Sequence, residues 1–224
     1  IENGEMPGDK NILLASVDTG VDYTHPDLIE NIWVNQGELL GNAVIVDLFE
    51  MIDTNADNYI GAKEIDEFMQ DIIQVDLNED GYNNIRDALV AGSPFIDNID
   101  NDGNGYVDDL IGWDSSGEWG TSDNDPFPKS GVQNDSEWAH GTHVAGILAA
   151  TTNNGLGMAS TMFNGSIISV KASKDGSETE EPGIHDGYDG ITYAAKAGYL
   201  AGARTIINCS WGGGAYNPLE QAVI

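Results

Sequence analysis

The chain has 224 residues, of which 40% are hydrophobic, and its 8 Lys+Arg against 38 Asp+Glu give a formal net charge of −30. That length and apolar content exclude a short peptide, a fibre and a disordered tail, and suffice for one good-sized core or two small ones. So acidic a surface repels phosphate backbones and anionic lipid heads, and no apolar run reaches the ~20 residues that span a bilayer; nucleic acid and membrane are therefore excluded as partners. The first residue is Ile1 rather than Met, which points to a processed or trimmed N-terminus with any export signal already removed. A single cysteine, Cys209, allows no disulfide within the chain.

In chain order, residues 11–17 (NILLASV) read as a short buried strand, because a continuous apolar run stops at the turn signal Asp18-Thr19-Gly20. From 38 to 114 the chain carries 19 acids and only two basic residues, Lys63 and Arg86, and the strand pattern gives way to helix-loop-helix patterns. Residues 39–95 are read as an inserted module, with 1–38 and 96–224 forming the framework. Residues 166–170 and 204–209 repeat the buried-strand pattern, which places Cys209 inside as an inert small hydrophobe. Between them, 183–198 follows Pro182 and puts Ile184, Tyr188, Ile191 and Ala195 on one helical face. Strand, helix, strand at this spacing predicts a right-handed crossover in an α/β fold, a doubly wound and mostly parallel sheet covered on both faces.

The acids of the insert recur at fixed offsets. Residues 53–64 match the twelve-residue EF-hand loop: Asp53, Asn55 and Asp57 supply side-chain oxygens at positions 1, 3 and 5, Tyr59 a backbone carbonyl at 7, and Glu64 a bidentate carboxylate at 12. Asn58 stands where Gly is usual at position 6, a change that Asn tolerates because it enters left-handed backbone conformations. Val44, Leu48, Phe49 and Ile52 enter the loop at helical spacing, and Ile65, Phe68, Met69 and Ile72 leave it. A second loop, 76–87, offers Asp76, Asn78, Asp80, Tyr82 and the shorter Asp87, and resembles the dockerin variant that also ends in Asp. The expectation is a pair of hands sharing the helix over 65–75, with their apolar faces packed largely against each other. A third run, Asp100, Asp102, Asn104, Tyr106 and Asp108, has Ile111 at position 12 and reads as a compact calcium turn without helices. The cation implied throughout is Ca2+, which takes 6–8 oxygens.

Two further motifs carry catalytic chemistry. Asp18 ends the first strand, and His140 opens the small-residue run HGTHVAG; a carboxylate that orients a neighbouring imidazole is what a serine hydrolase needs behind its nucleophile. In this order, VDTGVDYTHPDL around Asp18 and HGTHVAGILAA from His140 resemble the motifs of the subtilisin-like serine proteases, the subtilases, as do the strands IISVK and IINCSWGG. The resemblance covers residues 10–37 and about 97–224. It implies that Asp18 orients His140, that His140 serves as general base and then acid, and that Ser210, Trp211, Gly212 and Gly213 pair with the substrate backbone as an added strand. It also implies a secreted, calcium-dependent endopeptidase acting on peptides and proteins, made with an N-terminal propeptide. Asp27 resembles a calcium ligand of some subtilases, although the loop TTNNGLGMAS that follows the His motif is short.

Two departures stand out. Asp18 and His140 are 122 residues apart, a gap that the insert largely explains. The family's nucleophile motif, of the Gly-Thr-Ser-Met-Ala type, and the oxyanion Asn before it do not occur in the sequence. The chain is therefore expected to be inactive by itself and to need the remaining C-terminal part of the protease domain. The competing reading is a non-catalytic calcium-binding or adhesion module on a subtilase scaffold. Of the remaining residues, His143 is expected to pack or hydrogen-bond within its helix, His185 to lie at the surface, and Trp113, Trp119 and Trp138 to serve packing before they line a cleft.

Overall fold

A computed structural model describes residues 8–9, 11–118, 121–129, 135–175, 182–213 and 223. In chain order its elements are β1 (Ile12–Asp18), α1 (Gln36–Gly41), α2 (Ala43–Ile52), α3 (Ala62–Phe68), β2 (Gly112–Glu118), β3 (Thr121–Asp123), α4 (Asp135–Trp138), α5 (His140–Ala149), β4 (Ser166–Lys171), α6 (Gly187–Leu200) and β5 (Arg204–Asn208). The sheet order is β3-β2-β4-β1-β5. The four strands β2, β4, β1 and β5 run parallel, and β3 lies antiparallel on β2 at one edge. β1 pairs with β4 from Leu13↔Ser166 to Asp18↔Lys171, so the carboxyl ends of both strands emerge together.

Strand alternation divides the apolar residues between two cores. Leu13, Ala15 and Val17 of β1 meet Ile168 and Val170 of β4 and the Tyr193, Ala194 and Ala197 face of α6. On the other side, Leu14 and Ile167 meet Ala145 and Ala149 of α5. Both faces of β4 are buried throughout, which is why its sequence shows a run rather than an alternation. At its end the Lys171 ammonium is buried between two carboxylates, 2.8 Å from Asp114 and 2.7 Å from Asp175.

α6 begins at Gly187, later than the predicted start at 183, and buries a different face from the one its large residues mark. Gly187, Gly190, Tyr193, Ala194, Ala197 and Gly198 point inward, whereas Ala195 is exposed. Small residues let the helix settle closely on the sheet: a Cβ on Gly190 would sit 2.9 Å from Val17 and 3.0 Å from Val170. Cys209 is exposed, not buried as expected, because β5 is the edge of the described sheet and most of its residues are only partly covered. Val44 and Ile72, expected to face the insert's interior, lie outward, and Ile45 takes the inner position.

The insert's helices pack largely on one another, as expected, but their core is not separate from that of the framework. Ile45, Ile52, Ile60, Ile65, Phe68, Ile85 and Leu89 belong to the same buried cluster as Leu14, Ile32, Val34, Ile111 and Ile167, so the insert's core runs on into that of the framework, which the insert meets chiefly where α3 packs on the 3-10 turn Ile29–Asn31. Polar ties reinforce the junction: the Gln36 amide donates to Ile60 O at 3.0 Å and accepts from Ile60 N at 3.2 Å. Arg86 lies 4.1 Å over the Phe127 ring, whose edge meets Tyr23. Uncovering several side chains at about 1.5–3 kcal/mol each exceeds the total stability of most domains. Joining Gly37 to Asp97 through a short linker is accordingly expected to give an insoluble or non-cooperatively melting chain, to be checked by expression, gel filtration and thermal melting. A soluble deletion variant with a sharp melt would mean that the two parts hold separate cores.

Candidate active site and acidic loops

Asp18 stands at the carboxyl end of β1, near the middle of the parallel strands, the edge at which open α/β sheets place their ligands. It is 1% exposed, and its Oδ1 accepts from the Thr19 backbone N–H at 2.7 Å and meets His140 Nδ1 at 2.7 Å. His140 is the first residue of α5, and its side chain is half exposed. With Nδ1 turned to the buried carboxylate, Nε2 faces outward as a proton acceptor for a group arriving from the cleft. The two sequence motifs thus converge on one hydrogen bond across 122 residues.

The segment 210–213 leaves β5 at this same edge. Trp211 does not project outward: its indole N–H donates to Val17 O at 2.6 Å, and its ring meets Tyr188 edge-on at 6.1 Å. Ser210 accepts from the Asn208 amide at 2.9 Å. Among the described residues no atom lies within 4 Å of where a Cβ on Gly212 would sit, which leaves its backbone open on that side. The Cys209 thiol is pushed up from its ordinary value by partial desolvation first and by the Asp18 charge second. His143 is exposed rather than packed in its helix, and His185 lies at the surface. Trp138 is fully buried; Trp113 packs on Tyr106 and Tyr193; Trp119 lies outside the described residues. Asp27 is buried and anchors the short loop after α5, accepting from the Asn154 amide at 2.8 Å and Met158 N at 3.0 Å.

The first acidic loop lies between α2 and α3 and curls around its own carboxylates. Asp53 accepts from Asp57 N and Asn58 N, Asn55 from Asp57 N, and Asp57 from Tyr59 N. Asn58 adopts φ 64°, the left-handed conformation its position requires. The loop is closed by Glu64, which accepts from Thr54 N at 2.9 Å, Asn55 N at 3.2 Å and Gly61 N at 2.9 Å, the second, third and ninth residues. The second loop repeats this pattern with Asp76, Asn78 and Asp80, and Asp87 accepts from Leu77 N at 2.6 Å, Asn78 N at 3.1 Å and Asn84 N at 2.9 Å, again the second, third and ninth. Its exit is a short 3-10 turn, Ile85–Leu89, and Arg86 donates to Asp80 at 2.9 Å.

The third loop has the same internal bonds through Asp100, Asp102 and Asn104, but Ile111 cannot close it. Glu38 of α1 does so instead. It accepts from Asn101 N at 2.8 Å, Asp102 N at 3.2 Å and Asp108 N at 2.8 Å, once more the second, third and ninth residues. Oxygens of Glu38, Asp102 and Asp109 lie within 4.8 Å of one another. The Asp108 side chain turns away and accepts from Asp97 N and Asn98 N, and the Tyr106 ring meets Trp113 edge to face. Burial pushes Glu38 up to about 7, and burial followed by the neighbouring Asp102 and Glu38 charges pushes Asp109 up to about 8. An all-oxygen donor set in which Glu38 and Asp109 resist ionisation until a cation compensates them fits a hard divalent ion. Glu38 and Asp109 are the residues that motif reading missed; the available signal was the vacant twelfth position at Ile111.

The subtilase family matches residues 9–223. The chain is 38% identical over 108 residues to thermitase of Thermoactinomyces vulgaris, an overlap of 48% of this chain and 34% of that protein. It is 43% identical over 86 residues to the thermophilic serine proteinase of Bacillus sp. strain AK1, 38% of this chain and 19% of that protein. With subtilisin-like protease 1 of Plasmodium berghei strain Anka it shares 24% identity over 162 residues, 72% of this chain and 16% of that protein. The chain thus spans about a third or less of the length of these relatives.

Proposed function

Because the chain belongs to the subtilase family, we propose that it is the Asp- and His-bearing part of a secreted, calcium-dependent serine endopeptidase. The observation that carries this reading is the 2.7 Å contact between His140 Nδ1 and the buried Asp18 carboxylate at the carboxyl edge of the sheet. In the reaction, Asp18 holds His140 in the tautomer whose Nδ1 bears the proton. Nε2 then takes the proton of a serine hydroxyl supplied outside this chain, the serine oxygen attacks the peptide carbonyl, and His140 returns the proton to the leaving amine. Asp18 offsets the charge of the transient imidazolium. Segment 210–213 pairs with the substrate backbone, a mode that reads little of its side chains.

Calcium is assigned to the insert, residues 39–95, and to the loop that follows it, with a ligand set revised from the sequence reading. Glu38 takes the closing role that Ile111 cannot fill, Asp109 joins Asp100, Asp102 and Asn104, and Asp108 is left as a backbone anchor. Bound there, the ion would tie α1 to the loop leading into β2. The remaining C-terminal part of the domain completes the proposed enzyme, which is made with an N-terminal propeptide before maturation. To test the function, a protein carrying this chain and the serine motif is assayed on a denatured protein substrate, with and without a phosphonylating serine reagent. Hydrolysis abolished by the reagent is the expected result. Calcium binding with no hydrolysis in a folded, serine-containing protein would favour the non-catalytic module instead.

A further inference from the structure

The half-exposed His140 ring has one described hydrogen-bond partner, Asp18, so its aim depends on where the backbone at 139–141 is held. That backbone begins a helix without local support: the N-cap residue of α5 is Ala139, which has no side-chain oxygen and makes no cap bond. The first-turn N–H groups of a helix need acceptors, normally a Ser, Thr, Asp or Asn at the N-cap bonding the second or third residue. Here the acceptor comes from far along the chain. Thr19 Oγ1 accepts from Gly141 N, the second residue of α5, at 2.9 Å, and the same hydroxyl donates to Trp138 O at 2.9 Å. The hydroxyl is buried, and it grips the chain on both sides of His140. Close approach makes the grip possible: a Cβ on Gly141 would lie 2.2 Å from Gly20 O and 3.0 Å from Asp18 Cβ.

We infer that Thr19 is a positioning residue, a surrogate N-cap for α5 supplied from the residue next to Asp18, which sets His140 in register with its carboxylate. Thr19 contributes twice to that register, since its own backbone N–H orients Asp18 Oδ1 at 2.7 Å. Carboxylate and imidazole are therefore both referred to one residue, and a displacement of either strand end or helix start is resisted at the hydroxyl. The role rests on the proposed proton transfer by His140, and its tests are chosen to separate the two.

In this chain, proton NMR of the Nδ1-bound proton of His140 should give a low-field, slowly exchanging signal that Thr19→Val abolishes and Thr19→Ser retains. In the serine-containing protease, Thr19→Val should lower kcat by roughly 10²-fold at nearly constant KM, the scale of a misplacement of about 1 Å, and Thr19→Ser should recover most of it. The Gly141 amide of the unmodified chain should be protected from hydrogen exchange as strongly as the sheet, a measurement that stands even if Thr19→Val fails to fold. A Thr19→Val protein that keeps the low-field proton and kcat while only melting earlier would overturn the inference, as would a freely exchanging Gly141 amide. If His140→Ala leaves hydrolysis intact, the catalytic reading fails, and the NMR and exchange results still decide whether Thr19 positions the ring.

Discussion

Replacing His140 by Ala in a serine-containing protein that carries this chain is expected to lower kcat by roughly 10⁴ or more, the scale of triad removal in subtilisin. What the structure adds is why the loss should fall on kcat. His140 is held from behind by a carboxylate that is 1% exposed, and its outer nitrogen is free to take a proton as the serine oxygen attacks. Substrate, in contrast, is expected to be held by the backbone of 210–213, which His140 does not touch in any described hydrogen bond. KM should therefore change by no more than a few-fold, and Asp18→Asn should behave similarly, because an amide cannot both fix the Nδ1–H tautomer and offset the imidazolium charge. Steady-state kinetics on a chromogenic peptide, with circular dichroism to verify folding, would measure this. A His140→Ala enzyme within tenfold of wild-type kcat would remove His140 from the mechanism.

Asp18 and His140 were legible because each sits in a short contiguous motif, one ending an apolar strand and the other opening a small-residue helix. The first two acidic loops were legible for the same reason, all their oxygens falling within twelve residues. Glu38 was not, since it closes a loop whose amides lie 63 to 70 residues further on, and only the chain path over α1 brings it there. The buried face of α6 was misread because it is built from Gly and Ala, which contribute little to an apolar pattern yet decide how closely a helix can approach a sheet. The continuity of the two cores was not legible, for a different reason. Periodicity marks which residues of the insert seek burial but not what they pack against, and Ile52, Ile65 and Ile85 pack in one cluster with Ile32 and Ile167.

Calcium removal is the second change expected to have a large effect. A ligand that binds only the folded state stabilises it by about 2.7 kcal/mol per site at a hundredfold excess over Kd, which for a chain of this size is roughly 5–10 °C in Tm per site. Chelation should accordingly lower Tm well beyond that of any single surface substitution, and an unchanged melting curve in EDTA would sink the calcium reading. Glu38→Gln then asks whether the third loop belongs to it. The two Glu38 oxygens accept from three backbone N–H groups, so an amide in their place must turn its NH2 toward at least one donor, and the variant loses stability with or without a metal. Absolute Tm is thus a poor readout, and the informative quantity is the difference between melts in calcium and in EDTA. Removing one charged ligand from a trio of which Glu38 and Asp109 are buried should shrink that difference by about one site's worth and lower the calcium stoichiometry in calorimetry by one. Glu64→Gln should do the same for the first loop, independently, because the two positions close different loops. A Glu38→Gln chain with the wild-type stoichiometry and an undiminished calcium-dependent shift would mean that Glu38 only anchors the backbone of 101–108, and that any third ion is held without it.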